Sequence, residues 1–125
     1  MTDANTIVTN FVKEFEAPKP DGATIAAYFT ADALYHNIPM EPIHGAAAIG
    51  KMLGAMGETM LSQGWQVLHQ VAQGDVVMNE RVDRFKMGDK VVAIRVCGGV
   101  FVVKEGKIAE WRDYFDLAEF QNQMK

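Results

Sequence analysis

A chain of 125 residues, 49% apolar and 22% charged, is long enough for one hydrophobic core and too short for two domains, and its mix is that of a soluble globular protein rather than a disordered or fibrous one. The net charge of −4 is mild and the lysines and arginines form no run or stripe, so no nucleic-acid partner is expected. No segment approaches the ~20 apolar residues of a membrane span, and the N-terminal MTDANTIVTNFVKEFE lacks a basic start followed by an apolar run, so the chain is expected in the cytoplasm, away from membranes.

In chain order, Ile7, Val8, Phe11, Val12 and Phe15 recur at helical spacing, and Pro18 with Pro20 ends that first helix. Asp21 suits the N-cap of a short second helix that turns Ile25, Tyr28 and Phe29 inward, with Thr30 to Asp32 as its exit turn. After Pro42 and Gly45, the stripe Ile49, Met52, Leu53, Met56 and Met60 predicts a third helix, weakened by Gly50, Gly54 and Gly57. From Trp65 the period changes to two. Strands are expected from Gln66 to Val71, Val76 to Met87, Val91 to Val103 and Lys107 to Phe115, with turns at Gln73-Gly74-Asp75, Gly88-Asp89 and Glu105-Gly106-Lys107. A last helix starts at Asp116, which makes a capping-box pattern with Glu119. Helices first and an antiparallel meander afterwards predict an α+β fold, a curved, mostly antiparallel sheet wrapped around N-terminal helices, with a small-molecule pocket at its mouth. Cys97, the lone cysteine, lies in an apolar strand pattern and is expected as buried filler.

Three polar steps stand out against this pattern. In the last strand Ala109, Trp111, Asp113 and Phe115 share one face, while Ile108, Glu110, Arg112, Tyr114 and Asp116 share the wet one. Asp113 is thereby left among apolar neighbours, where an unpaired carboxylate costs several kcal/mol and must bind a proton or find a cation. In NERVDRF, Asn79 to Phe85, the odd face runs Val77, Asn79, Arg81, Asp83, Phe85, Met87, polar in the middle and apolar at both ends. Facing inward, Arg81 can fork between Asp83 and Asp113 with its planar donors. The third step, Tyr35-His36-Asn37, puts Tyr35 and Asn37 on one side and turns His36 to the other, where a structural role is expected.

Two carboxylates about 5 Å apart repel by roughly 3 kcal/mol at an effective dielectric near 20, a pKa rise of about two for one of them. One guanidinium balances one carboxylate, so the neutral triad keeps one aspartate ionised and the other protonated, an acid and a base in one pocket without metal or cofactor. A buried Asp–Arg–Asp triad can equally be a sheet staple, but Tyr35 and Asn37 have no part in a staple and suit a bound water. Phe85 and Val77 share the face of Arg81 and Asp83 and are expected on the pocket wall. The methionines are read as core filler that would also suit an apolar ligand. His44 and His69 have no metal-ligand spacing.

The set Y-x-N (Tyr35, Asn37), N-E-R-V-D (Asn79 to Asp83) and W-R-D-Y-F-D (Trp111 to Asp116), in that order over most of the chain, resembles the limonene-1,2-epoxide hydrolase family. The resemblance implies a cone-shaped, NTF2-like α+β domain over residues 1–125, the fold of nuclear transport factor 2 and ketosteroid isomerase. It also implies cofactor-free, metal-free addition of water to a small apolar epoxide, giving a vicinal diol in one displacement. By this resemblance Asp113 is the base that deprotonates water, Tyr35 and Asn37 hold that water, Asp83 protonates the epoxide oxygen, Arg81 links the two acids, and Trp111 lines the pocket. Homodimers through the outer sheet face are implied as well. Two other readings stand beside it. One is an isomerase or polyketide-cyclase-type proton shuttle on the same cone, against which Arg81 argues by holding Asp83 or Asp113 ionised. The other is a non-catalytic domain that binds a small ligand or a protein, with the triad as a staple.

Overall fold

The computed structural model describes residues 2–125. Helix α1 (Ala4–Lys13) begins at Asp3, whose side chain accepts from the Thr6 N–H at 2.8 Å. It buries Ile7, Val8, Phe11 and Val12, and a following 3-10 turn, Glu14–Glu16, buries Phe15. Asp21 caps α2 (Gly22–Ala26) by accepting from the Thr24 N–H at 3.0 Å. Thr30 to Asp32 do not form the exit turn expected of them. They lie instead in strand β1 (Phe29–Asn37), in an irregular stretch between its pairings Phe29–Ile108 and Leu34–Glu110 with β6, a partner that local sequence cannot reveal.

A two-residue strand β2 (Ile43–His44), too short to carry a period, pairs with β1. Helix α3 (Ala46–Met56) follows, and Met60 lies beyond its end. The glycines that weaken this helix on propensity serve close packing. A Cβ on Gly50 would stand 2.5 Å from the Gly22 carbonyl oxygen, and one on Gly54 would stand 2.9 Å from the Gly22 Cα. Backbone contact between α2 and α3 thus takes the place of side-chain packing.

The meander then runs β3 (Leu61–Gln73), β4 (Val76–Met87), β5 (Lys90–Lys104) and β6 (Lys107–Phe115), and α4 (Leu117–Gln123) closes the chain. Asp116 caps α4 by accepting from the Ala118 and Glu119 N–H groups. Among the described residues the sheet has the order β2-β1-β6-β5-β4-β3, with β1 parallel to β6 and the other neighbours antiparallel.

Strand β5 corrects the reading of Cys97. Asn79 faces Gly99 on β5 and Arg81 faces Val96, so β5 uses one residue more than β4 over that interval, a bulge at Cys97–Gly98. The bulge shifts the alternation. Val92 and Val96 are buried before it, whereas Gly99, Phe101 and Val103 are buried after it. Cys97 falls at the shift, exposed, with its thiol donating to the Tyr114 carbonyl at 3.1 Å.

On the concave face Phe11 sits at the centre of an aromatic core, edge-on to Trp111 at 5.0 Å and to Phe29 at 5.4 Å between ring centroids. Phe15 stacks on Trp65 at 3.6 Å, and Tyr35 on Trp111 at 3.9 Å. Ser62, buried, donates its hydroxyl to the Phe15 carbonyl and ties β3 to the end of the first helix.

Candidate active site

Three strands bring their polar pairs to one place. Parallel pairing of β1 with β6 puts Tyr35 beside Trp111 and Asn37 beside Asp113, while β5 puts Gly99 between Asp113 and Asn79. Arg81 lies at the focus, 1% exposed, with Asp83 and Asp113 at 4% and 3%. Its guanidinium grips Asp83 side-on, Nε to Oδ1 at 3.1 Å and Nη2 to Oδ2 at 3.0 Å. It also reaches Asp113, Nη2 to Oδ2 at 2.6 Å and Nη1 to Oδ1 at 3.3 Å. Nη1 donates in addition to Asn79 Oδ1 at 2.8 Å, so the whole fork is satisfied. The buried cation gains further from the Trp65 ring, whose centroid is 5.2 Å from Cζ.

The two aspartates have different surroundings. Asp113 also accepts from the Trp111 Nε1–H at 2.7 Å. Asp83 has only Arg81, and burial pushes its carboxyl up to about 6, against the pull of the Arg81 charge and with a further push from Asp113. Burial lowers the affinity of Arg81 for its proton, but the charges of Asp113 and Asp83 more than offset that and hold the guanidinium protonated. Tyr35 is kept neutral by burial, reinforced by the Asp113 charge, and its hydroxyl donates to Asn37 Oδ1 at 3.1 Å. That leaves the phenol oxygen as an acceptor and the Asn37 amide as a donor.

Tyr35, Asn37, Asp83 and Asp113 all line a cavity of about 400 Å³. The rest of its wall is apolar, with Met40, Met52, Met56, Met60 and Phe85 on it. Two expectations are corrected. Val77 is fully buried in the core and does not line the cavity, because it lies on the far side of Arg81 from Asp83 along β4. Trp111 is also absent from the wall: it lies in the core and supports the site from behind, by stacking on Tyr35 and by its hydrogen bond to Asp113. Met78 faces outward, and His36 meets the Met40 carbonyl at 2.9 Å. Among the described residues no group of three His, Cys, Asp or Glu side chains is placed to hold a metal ion.

Sequence reasoning missed three contributors. Gln70 accepts from Asn79 Nδ2 at 3.1 Å and itself donates to Asn5 and Thr9 of α1, at 2.8 and 3.0 Å, so Asn79 is held by a chain of amides. Gly99 makes room: a Cβ there would stand 2.5 Å from Arg81 Nη1 and 2.9 Å from Asp113 Oδ1. The glycine pair inside a strand pattern was the available signal for such a close approach. Phe120, half-buried on the short last helix, also lines the cavity, and the helical spacing of Leu117, Phe120 and Met124 was the available signal.

The family model of the limonene-1,2-epoxide hydrolase catalytic domain matches residues 2–125. This chain belongs to the limonene-1,2-epoxide hydrolase family. Within the curated proteins it is 35% identical over 99 residues to the epoxide hydrolase EphG of Mycobacterium tuberculosis, a match covering 78% of this chain. The same match spans 64% of EphG, a little under two thirds of its length. Among solved structures, an LEH-like epoxide hydrolase of M. tuberculosis superposes with a TM-score of 0.83 at 28% identity, over 96% of this chain and 87% of that one. A protein of ketosteroid isomerase-like fold from Catenulispora acidiphila gives 0.80 at 16% identity, over 94% and 90%, a likeness of fold alone. The curved α+β sheet of this epoxide-hydrolase-family chain is thus the cone shared by NTF2-like and ketosteroid-isomerase-like proteins.

Proposed function

We propose that this single domain is a cofactor-independent epoxide hydrolase that adds water to a small, mostly apolar epoxide in one step. The observation that carries the reading is the guanidinium of Arg81 bridging Asp83 and Asp113 beside Tyr35 and Asn37, in a cavity whose remaining wall is apolar. Family membership and the likeness to EphG support it.

In this mechanism a water held by Tyr35 and Asn37 loses a proton to Asp113 as its oxygen bonds one epoxide carbon. The C–O bond at that carbon breaks, and Asp83 gives its proton to the departing oxygen. The product has gained one water and the attacked carbon is inverted. The proton has moved from Asp83 to Asp113, and its return resets the pair. Asp83 suits the acid because burial raises its carboxyl to about 6. Asp113 suits the base because Arg81 and Trp111 orient its carboxylate while the Oδ2 atom keeps a lone pair for the water. Arg81 holds the two carboxylates in fixed orientation to one another, so that both face the same bound substrate.

The enzyme is read as a cytoplasmic homodimer. The outer sheet face supports the dimer, with Val71, Val76 and Met78 exposed side by side on β3 and β4. The exposed free thiol of Cys97 suits a reducing compartment. Among the described residues no helix is long and apolar enough to cross a membrane.

The deciding experiment incubates the protein with cyclic and aryl epoxides in oxygen-18 water. One labelled oxygen per diol is expected. Turnover by isomerisation without label, or no diol from any epoxide, would overturn the reading.

A further inference from the structure

Strand β5 outruns its neighbour. It pairs with β4 from Lys90 to Val102, but β6 pairs with it only from Val96 onward. The edge from Lys90 to Arg95 therefore has no strand beside it on the β6 side, and such an edge leaves backbone groups open. Gln123 of α4 fills one of these positions. The Ala93 N–H donates to Gln123 Oε1 at 2.8 Å, and Gln123 Nε2 donates to the Ala93 carbonyl at 2.8 Å. These are the two bonds a facing strand residue would make. Lys90 Nζ adds bonds to the Met124 and Lys125 carbonyl oxygens, at 3.2 and 2.7 Å.

Three positions before the latch, Phe120 lines the cavity, together with Ile94 of the open β5 edge and the adjoining pair Val96 and Phe115. Yet no residue of α4 is buried. Leu117 and Phe120 are only half-buried, so polar bonds, which compete with water and are individually weak, carry much of its attachment. An element held in this way opens far more readily than the sheet it leans on. One wall of the cavity is consequently formed by a loosely held element.

We propose that α4 is a gate on the cavity, with Phe120 as its inner face and Gln123 as its latch, a positioning residue that sets how fast and how bulky a ligand enters. The proposal rests on the reading of this cavity as the substrate site, and not on the reaction performed there.

The test compares the parent protein with Gln123→Ala and Phe120→Ala by amide hydrogen exchange. In parallel, stopped-flow tryptophan fluorescence follows entry of a neutral branched aliphatic primary amide, since Trp65 lines the cavity. For Q123A, exchange of the α4 amides should accelerate about fivefold or more while β4 is unchanged. Association and dissociation of the amide should rise together by about threefold or more, with a smaller change in affinity. F120A should speed entry without altering α4 exchange. Unchanged α4 exchange in Q123A overturns the latch, and faster exchange with unchanged entry rates overturns the gate. An amide that fails to bind the parent protein overturns the proposal together with the site reading. Aspartate variants that leave turnover unaffected bear on the reaction alone and leave the gate standing.

Discussion

Gly99 faces Asp113 across the β5–β6 ladder, and the Arg81 Nη1 and Asp113 Oδ1 atoms occupy the space that a Cβ on Gly99 would take. The obstacle is a buried, fully bonded guanidinium, not the free end of a flexible chain. Gly99→Ala should therefore separate Arg81 from Asp113. We expect a loss of about 2–4 kcal/mol in denaturant unfolding and of at least about 100-fold in diol formation. A variant with parental activity would show that the triad can shift at little cost.

Arg81 makes five hydrogen bonds, from Nε, Nη1 and Nη2 to three side chains. Lysine keeps the charge but has three donors on one atom and cannot fork between two carboxylates. Arg81→Lys should lower kcat by about 100-fold and stability by about 2–3 kcal/mol, with both losses larger than for the surface change Arg84→Lys.

Asp83 provides a stability test with a defined sign. Its folded carboxyl is raised to about 6 by burial, above its value in the unfolded chain. The folded state therefore holds this proton more tightly. The stability it contributes is fully present below about pH 4 and is lost as pH rises to 6, by up to about 3 kcal/mol. Asp83→Asn has no such proton. Its stability relative to the parent should improve from pH 4 to 6 and stay constant above, as measured by thermal unfolding across that range.

The same group sets the rate profile. As the proposed acid, Asp83 works only while protonated, so kcat/KM should fall with rising pH through about 6. Asp83→Asn should remove that limb along with about 1,000-fold of the rate, and Asp113→Asn should lose at least as much. A parental profile in D83N would assign the acid elsewhere.

On the outer sheet face, Val71 is 67% exposed and its cross-strand partner Met78 is 47% exposed. Replacing both by aspartate should convert the expected dimer to monomer in sedimentation velocity, with folding intact because neither side chain is buried. A monomeric parent protein would rule out the dimer.

The local and periodic features were legible in the amino-acid order. Asp21 and Asp116 act as caps through bonds to residues within three positions, and the alternation along Val76 to Met87 is uninterrupted, so Arg81 and Asp83 were placed on one inward face by counting alone. The lone carboxylate at Asp113 likewise demanded a cation that only Arg81 was placed to supply. Other features depended on contacts between distant parts of the chain. Strand β1 extends because β6 lies beside it; the bulge at Cys97 reverses the phase of β5; Val77 and Trp111 fall behind the cavity; and Phe120 reaches it from a helix with no buried residue. Periodicity encodes which face a residue takes, because that depends on a few neighbouring bonds. Position along that face, and the partner across it, emerge only when the sheet curls and its edges meet.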